Sequence, residues 1–215
     1  MADSGAFAGF PPWGVTFYQD LEEDNTKEFW AAHKGQCERD VRGPMVALAE
    51  ALEDEFGPAK LFRPNRDIRF SHDKSPYKTH QGAFVGVRTG VGYYVQVSGA
   101  GLAAGGGFRS HSPAETARFR AAIDAPASGA RLEQVARDLE ADGFSLEGDT
   151  LKTRPKGFDA DHPRLDLLRR KEMMAIHRLG TPAWLGRAET LGHVRDAWRA
   201  VRPLVDWATE HVVTD

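Results

Sequence analysis

The sequence predicts an α+β domain with a central, mainly antiparallel sheet flanked by N-terminal and C-terminal helices. Three observations carry this expectation. Apolar residues recur at three- and four-residue steps between Phe29 and Phe56. Between Leu61 and Phe108 the period changes to two, with turn signals separating short runs. Helical spacing returns at Pro113 and again beyond Thr181. Adjacent strands with short connections pair antiparallel, and helices grouped before and after them give α+β rather than alternating α/β.

The elements follow in chain order. A flexible N-terminus over 1–13 leads into one domain over 14–215. Asn25, with Glu28 three residues on, reads as the start of a helix, whose stripe is Phe29, Trp30, His33, Cys37 and Val41. Gly43-Pro44 should break or kink it, because proline removes a donor and clashes with the preceding turn. A second helix then carries Met45, Leu48, Leu52 and Phe56 on one face, and Gly57-Pro58 stops it.

Strands are expected at Leu61–Phe70, Ala83–Val87, Tyr93–Val97 and Gly101–Phe108, with turns at Ser75-Pro76, Thr89-Gly90 and Ser98-Gly99. Helices follow at 113–124 and 132–141, with extended pieces near 144–151 and 173–178. Thr181-Pro182 is expected to open the C-terminal helical region, with a stripe of Leu191, Val194, Trp198, Val201, Val205 and Ala208 and a kink at Pro203.

Composition narrows the class. With 215 residues, 41% of them hydrophobic, the chain can bury a sizeable core. The one cysteine, Cys37, excludes an internal disulfide and a thiolate-rich metal site. No apolar run approaches the roughly 18 residues of a membrane span. The acidic N-terminus lacks the basic region of a signal peptide, so a cytoplasmic protein is expected.

Net charge is −3, which argues against general attraction to nucleic acid. The distribution is uneven. Residues 60–80 hold six basic against two acidic side chains, and residues 152–171 seven against three, +4 in each case; the remainder carries −11. An acidic body with two basic segments points to a local anion site.

The run Arg63-Pro-Asn-Arg-Asp-Ile-Arg-Phe-Ser71, continued by Asp73-Lys-Ser-Pro-Tyr-Lys-Thr79, resembles the signature of a family known as domain of unknown function 2461, which occurs in bacteria and fungi. Further similarity lies around Asn25–Trp30, at Gly105-Gly106-Gly107, and at Lys156-Gly157-Phe158 followed by His162-Pro163. Asp24-Asn25-Thr26 and Cys37 depart from the pattern, which has a paired Asn and an aromatic there. The resemblance implies no activity, so the function is argued from the residues.

On a strand over 63–70, Arg63, Asn65, Asp67 and Arg69 share one face, and Arg66, Ile68 and Phe70 the other. Charges beside a sheet must pair or meet a charged ligand, and guanidinium groups match phosphate and carboxylate. The expected ligand-binding residues are Arg63, Asn65, Arg66, Arg69, Ser71, Lys74 and Lys78, joined by Lys156 if the second basic segment faces the first. Asp67, His72 and Tyr77 are the catalytic candidates, Asp67 as orienter and His72 or Tyr77 as acid or base. The competing reading is a structural network of Arg–Asp pairs.

Ser71-His72-Asp73-Lys74 formally matches Ser-x-x-Lys, but its turn-like composition and Pro76 do not suit a helix start. Cys37 falls on an apolar stripe and reads as packing. His72, Asp73, His80, His111 and His162 lack metal-ligand spacing, so neither metal nor cofactor is expected. The run from Gly99 to Gly107 has three consecutive glycines where a dinucleotide fingerprint needs a helix; it reads as a tight turn plus a glycine-rich strand that lets another backbone or a ligand approach closely.

These observations lead to a basic pocket for a phosphate- or carboxylate-bearing small molecule, with metal-independent hydrolysis or transfer as the chemistry if the protein is an enzyme. The alternative is a non-enzymatic module that docks an acidic peptide, a protein or a nucleic-acid phosphate. No membrane partner is expected, and the oligomeric state is open.

Overall fold

The computed structural model describes residues 6–67, 69 and 73–213, and the architecture is α+β. Helices α1 (Pro12–Glu23), α2 (Lys27–Cys37) and α3 (Gly43–Phe56) come first, with a π-turn, Glu38–Arg42, joining the last two. Strands β1 (Ala59–Leu61), β2 (His80–Arg88), β3 (Val91–Ser98) and β4 (Gly101–Phe108) follow. Then come α4 (Pro113–Asp124), α5 (Pro126–Ala141), β5 (Ser145–Glu147), α6 (Leu165–Arg169), β6 (Met173–Gly180) and α7 (Thr190–His211). The strands form one antiparallel sheet in the order β1-β2-β3-β4-β6-β5. Ala59 lies opposite Val85 at one edge, and Ser145 opposite Ile176 at the other.

The chain packs as two compact units. The first comprises Met1–Val85, Tyr94–Ala104 and Arg178–Asp196. Its core holds Phe17, Tyr18, Leu21, Cys37, Val41 and Tyr77, with Trp13, Phe29 and Trp30 packed against them. Phe7 and Phe10 are buried as well, and the Phe10 N–H donates to Leu185 O at 2.8 Å.

The helical run from Lys27 to Phe56 is not broken at Gly43-Pro44 as expected. Gly43 N–H reaches back five residues to Glu38 O. The wider turn falls where Pro44 would otherwise remove a donor and clash with the previous turn, so the chain stays helical through it. Thr26, not Asn25, caps α2, its hydroxyl accepting the Phe29 N–H at 3.1 Å. Gly57, at φ +96°, ends α3 as expected.

The expected strand Leu61–Phe70 is replaced by a short strand and an arch. After Leu61, Phe62 N–H still donates to Gly82 O, and the chain then turns to pair with its own continuation. Asn65 bridges Tyr77, Arg66 N–H donates to Pro76 O at 2.9 Å, and Lys78 N–H to Pro64 O at 2.8 Å. Pro64 has no N–H to offer a strand neighbour, and the Asp67 carboxylate accepts the Arg69 N–H two residues on, a turn geometry. Ile68 and Phe70, placed on the core face from the sequence, lie outside the described residues.

The second unit comprises Gly86–Tyr93, Gly105–His177 and Ala197–Asp215. A capping box starts α4: Ser112 accepts the Glu115 N–H while Glu115 accepts the Ser112 N–H. Phe119 is the centre of an aromatic group, 4.6 Å from Phe108 and 5.8 Å from Trp207 between ring centroids. Trp198, Val201, Val205 and Ala208 of the expected stripe are fully buried. The glycines of β4 admit close approach as expected: a Cβ at Gly105 would stand 1.9 Å from Ala175 O.

Three boundaries move. Helix α5 begins at Pro126 rather than near Leu132, where Pro126 itself supplies a first-turn proline. The strand near 144–151 shortens to β5. The C-terminal helix begins at Thr190, not Thr181: Leu185, Arg187 and Thr190 make turn hydrogen bonds three residues back, and the Thr190 hydroxyl is committed to Trp184 O and Leu185 O.

Candidate functional site

A groove of about 580 Å³ lies in the first unit. One wall is the face of α2 that carries Lys27, Trp30, Ala31 and Lys34, at spacings of three, four and seven residues, so their side chains stand one above another. The π-turn extends this wall with Glu38 and Arg42. The other wall is Leu61, Arg63, Pro64 and Asn65, where the chain leaves β1 for the arch. Cys37, Tyr77 and Gln81 complete the lining.

The charged side chains of the lining are mainly basic. Lys27, Lys34, Arg42 and Arg63 stand against one carboxylate, Glu38, whose Oε1 is 3.2 Å from Arg42 Nε. The aromatic part is built: the rings of Trp30 and Tyr77 stack with centroids 4.5 Å apart at 14°. Tyr77 is fixed at the backbone by Asn25, which accepts its N–H and donates to its C=O, both at 3.1 Å. That task explains why Asn25 does not cap α2.

The thiol in the lining, Cys37, is buried. Burial first, then the neighbouring Glu38 charge, pushes the Cys37 thiol up to about 11. Its neighbour Tyr18 is raised as well, by burial first and then by Cys37.

Of the residues expected to form the site, Arg63, Asn65 and Tyr77 line the groove. The others are used differently. Asp67 takes both ends of the Arg69 guanidinium, Nε at 2.9 Å and Nη2 at 2.6 Å, and this holds its carboxyl below the usual range. Asp73 binds Arg66 and accepts from the Ser75 hydroxyl and N–H, which brings its carboxyl down to about 2, Ser75 being the larger cause. The Lys78 ammonium donates to Arg63 O at 2.8 Å and lies over the Phe62 ring. Burial, then Arg63, lowers its pKa.

Lys74 is exposed on the arch. Ser71 and His72 lie outside the described residues. Lys156 is exposed in the second unit and is not part of the groove lining. Among the described residues, no group of three or more His, Cys, Asp or Glu could hold a metal ion. No helix among them is long and apolar enough to cross a membrane.

Sequence reasoning missed Lys27, Lys34 and Arg42. The signal was present as Lys27, Trp30, Ala31, Lys34 and Glu38, a second helical stripe beside the apolar one.

The family model described as "Conserved hypothetical protein (DUF2461)" matches residues 14–207. The chain belongs to the DUF2461 family. That match takes in the whole groove lining of this DUF2461 chain, from Lys27 to Gln81. Searches of the curated proteins and of the solved structures found no match.

Proposed function

We propose that the groove between α2 and the segment leaving β1 binds a small molecule bearing a phosphate or carboxylate. The observation that carries this reading is the convergence of Lys27, Lys34, Arg42 and Arg63 on one concave space that offers a single, already paired, carboxylate in return. A π-turn within the wall adds support, since such turns recur at functional sites. The volume suits a ligand of metabolite size. The basic residues of the arch are a poorer base for a protein-docking surface, because Arg66 and Arg69 are matched by Asp73 and Asp67 of the same loop. If the bound anion reacts, Tyr77 and Glu38 are the groove's acid–base groups, and no metal need enter the chemistry. A single cysteine kept as a buried thiol fits a reducing compartment, and the cytoplasm is the proposed location.

A thermal-shift series with inorganic phosphate, nucleotides and dicarboxylates tests the reading. A ligand at about one hundred times its Kd stabilises the fold by about 2.7 kcal/mol. The double variant Lys34→Ala, Arg63→Ala should keep its unliganded Tm, since both side chains are exposed, and lose the shift. Absence of any shift in the wild-type protein up to millimolar anion overturns it.

A further inference from the structure

We infer that the anion taken by this groove carries a nucleobase, making it a nucleoside monophosphate. The inference rests on the anion-site reading above and adds what Gln81 and the aromatic wall require of the rest of the ligand. Gln81 is 5% exposed, and it lines the groove. Its Nε2 gives one N–H to Phe62 O at 3.0 Å and the other to Gly82 O at 2.9 Å. The amide orientation is therefore fixed, and the hydrogen-bonding group left to the groove is the carbonyl oxygen, an acceptor.

An acceptor in a basic groove cannot serve an oxyanion, which needs donors. It calls for a ligand N–H or O–H. An ammonium would meet Lys27, Lys34 and Arg63, so the donor must be uncharged. Trp30, with the buried Tyr77 ring stacked 4.5 Å behind it, puts an aromatic side chain in the same lining, which suits a planar ring. An anion for the lysines and arginines, on the same molecule as a planar neutral ring whose N–H meets Gln81, has the chemistry of a nucleobase joined through a sugar to a phosphate.

Isothermal titration at fixed ionic strength with three probes decides the matter. Ribose 5-phosphate carries the anion alone, purine riboside 5′-monophosphate adds the ring, and adenosine 5′-monophosphate adds the exocyclic amine. Wild-type protein should bind the adenosine compound about tenfold or more tighter than ribose 5-phosphate through stacking. It should bind it about fivefold tighter than the purine riboside through the amine. Gln81→Met should erase the second ratio and keep the first, and Arg63→Ala should weaken all three alike.

Equal affinities for the adenosine compound and ribose 5-phosphate overturn the nucleobase and leave the anion site standing. Equal affinities for the two purine compounds overturn the role of Gln81 and the inference with it. If none of the three binds while another anion stabilises the protein, the inference alone falls; if no anion of any kind binds, both fall. Should Gln81→Met fail to fold, the wild-type ratios decide.

Discussion

Asn25 holds both backbone hydrogen-bonding groups of Tyr77, 52 residues away, with its amide oxygen accepting the N–H and its amide nitrogen donating to the C=O. One side chain thereby ties the α1–α2 connection to the returning limb of the arch, and Tyr77 presents its ring to Trp30 from that tether. Asn25→Ala leaves two partly buried backbone groups without partners, for a loss of about 1–3 kcal/mol in urea denaturation. Asn25→Asp keeps the acceptor and forfeits the donor, so its loss should be smaller. A variant as stable as wild type would show that the tether is dispensable.

Gly105 carries the closest approach in the second unit. A methyl there would sit 1.9 Å from Ala175 O, which belongs to backbone and cannot swing aside. Gly105→Ala should open the β4–β6 pairing and yield insoluble or molten protein by circular dichroism. Gly35→Ala, on an open helical position with nothing within 4 Å, is the matched control and should be neutral or slightly stabilising.

Acid stability should depend on Asp73. Its carboxyl ionises more readily in the folded chain, at about 2 against an ordinary 3.8. Folding therefore gains from the ionised form in full above pH 3.8, and the gain disappears as pH falls towards 2. A carbon-13 titration should find the low midpoint, and Ser75→Ala and Arg66→Ala should each raise it. His80 acts at higher pH. Burial, then Lys78 and Arg66, lowers its folded pKa, so its neutral form is favoured and stability from it is lost as pH drops below about 6.5. His80→Asn should flatten the profile there.

The thiol of Cys37 should be slow to react. Buried and raised to about 11, it holds little thiolate at pH 8. Reaction with a disulfide reagent should be far slower in the native protein than in urea. Rapid native labelling would mean that α2 opens readily.

Local patterns were legible where neighbours in sequence decide the outcome. The segment 93–97 alternates buried and half-buried residues because one face meets a core, and the helix expected over 113–124 is α4. The stretch after Leu61 failed because two aspartates draw their partners from within two residues for Asp67 and from Arg66 and Ser75 for Asp73, turns that a strand pattern does not reveal. Asn25 was misread as a cap because its partner is 52 residues away. Half the groove was hidden for a related reason. The helix stripe that attracts attention is the apolar one, and Lys27 and Lys34 lie on the neighbouring face that only the fold turns towards Arg63.

The π-turn at Glu38–Arg42 has a consequence for how this groove can diverge among relatives. A single extra residue in a helix advances its angular phase by roughly 100°. The face of α2 that lines the groove and the face of α3 that carries Met45, Leu48 and Leu52 are thus set by two phases rather than one. Deleting one residue within Glu38–Arg42 would restore a single phase, swing Lys27, Trp30 and Lys34 about a quarter-turn out of the groove, and leave α3 seated. The same turn would take Phe29 and Cys37 of α2 out of the core of the first unit, so the groove lining and that core share the phase the π-turn sets.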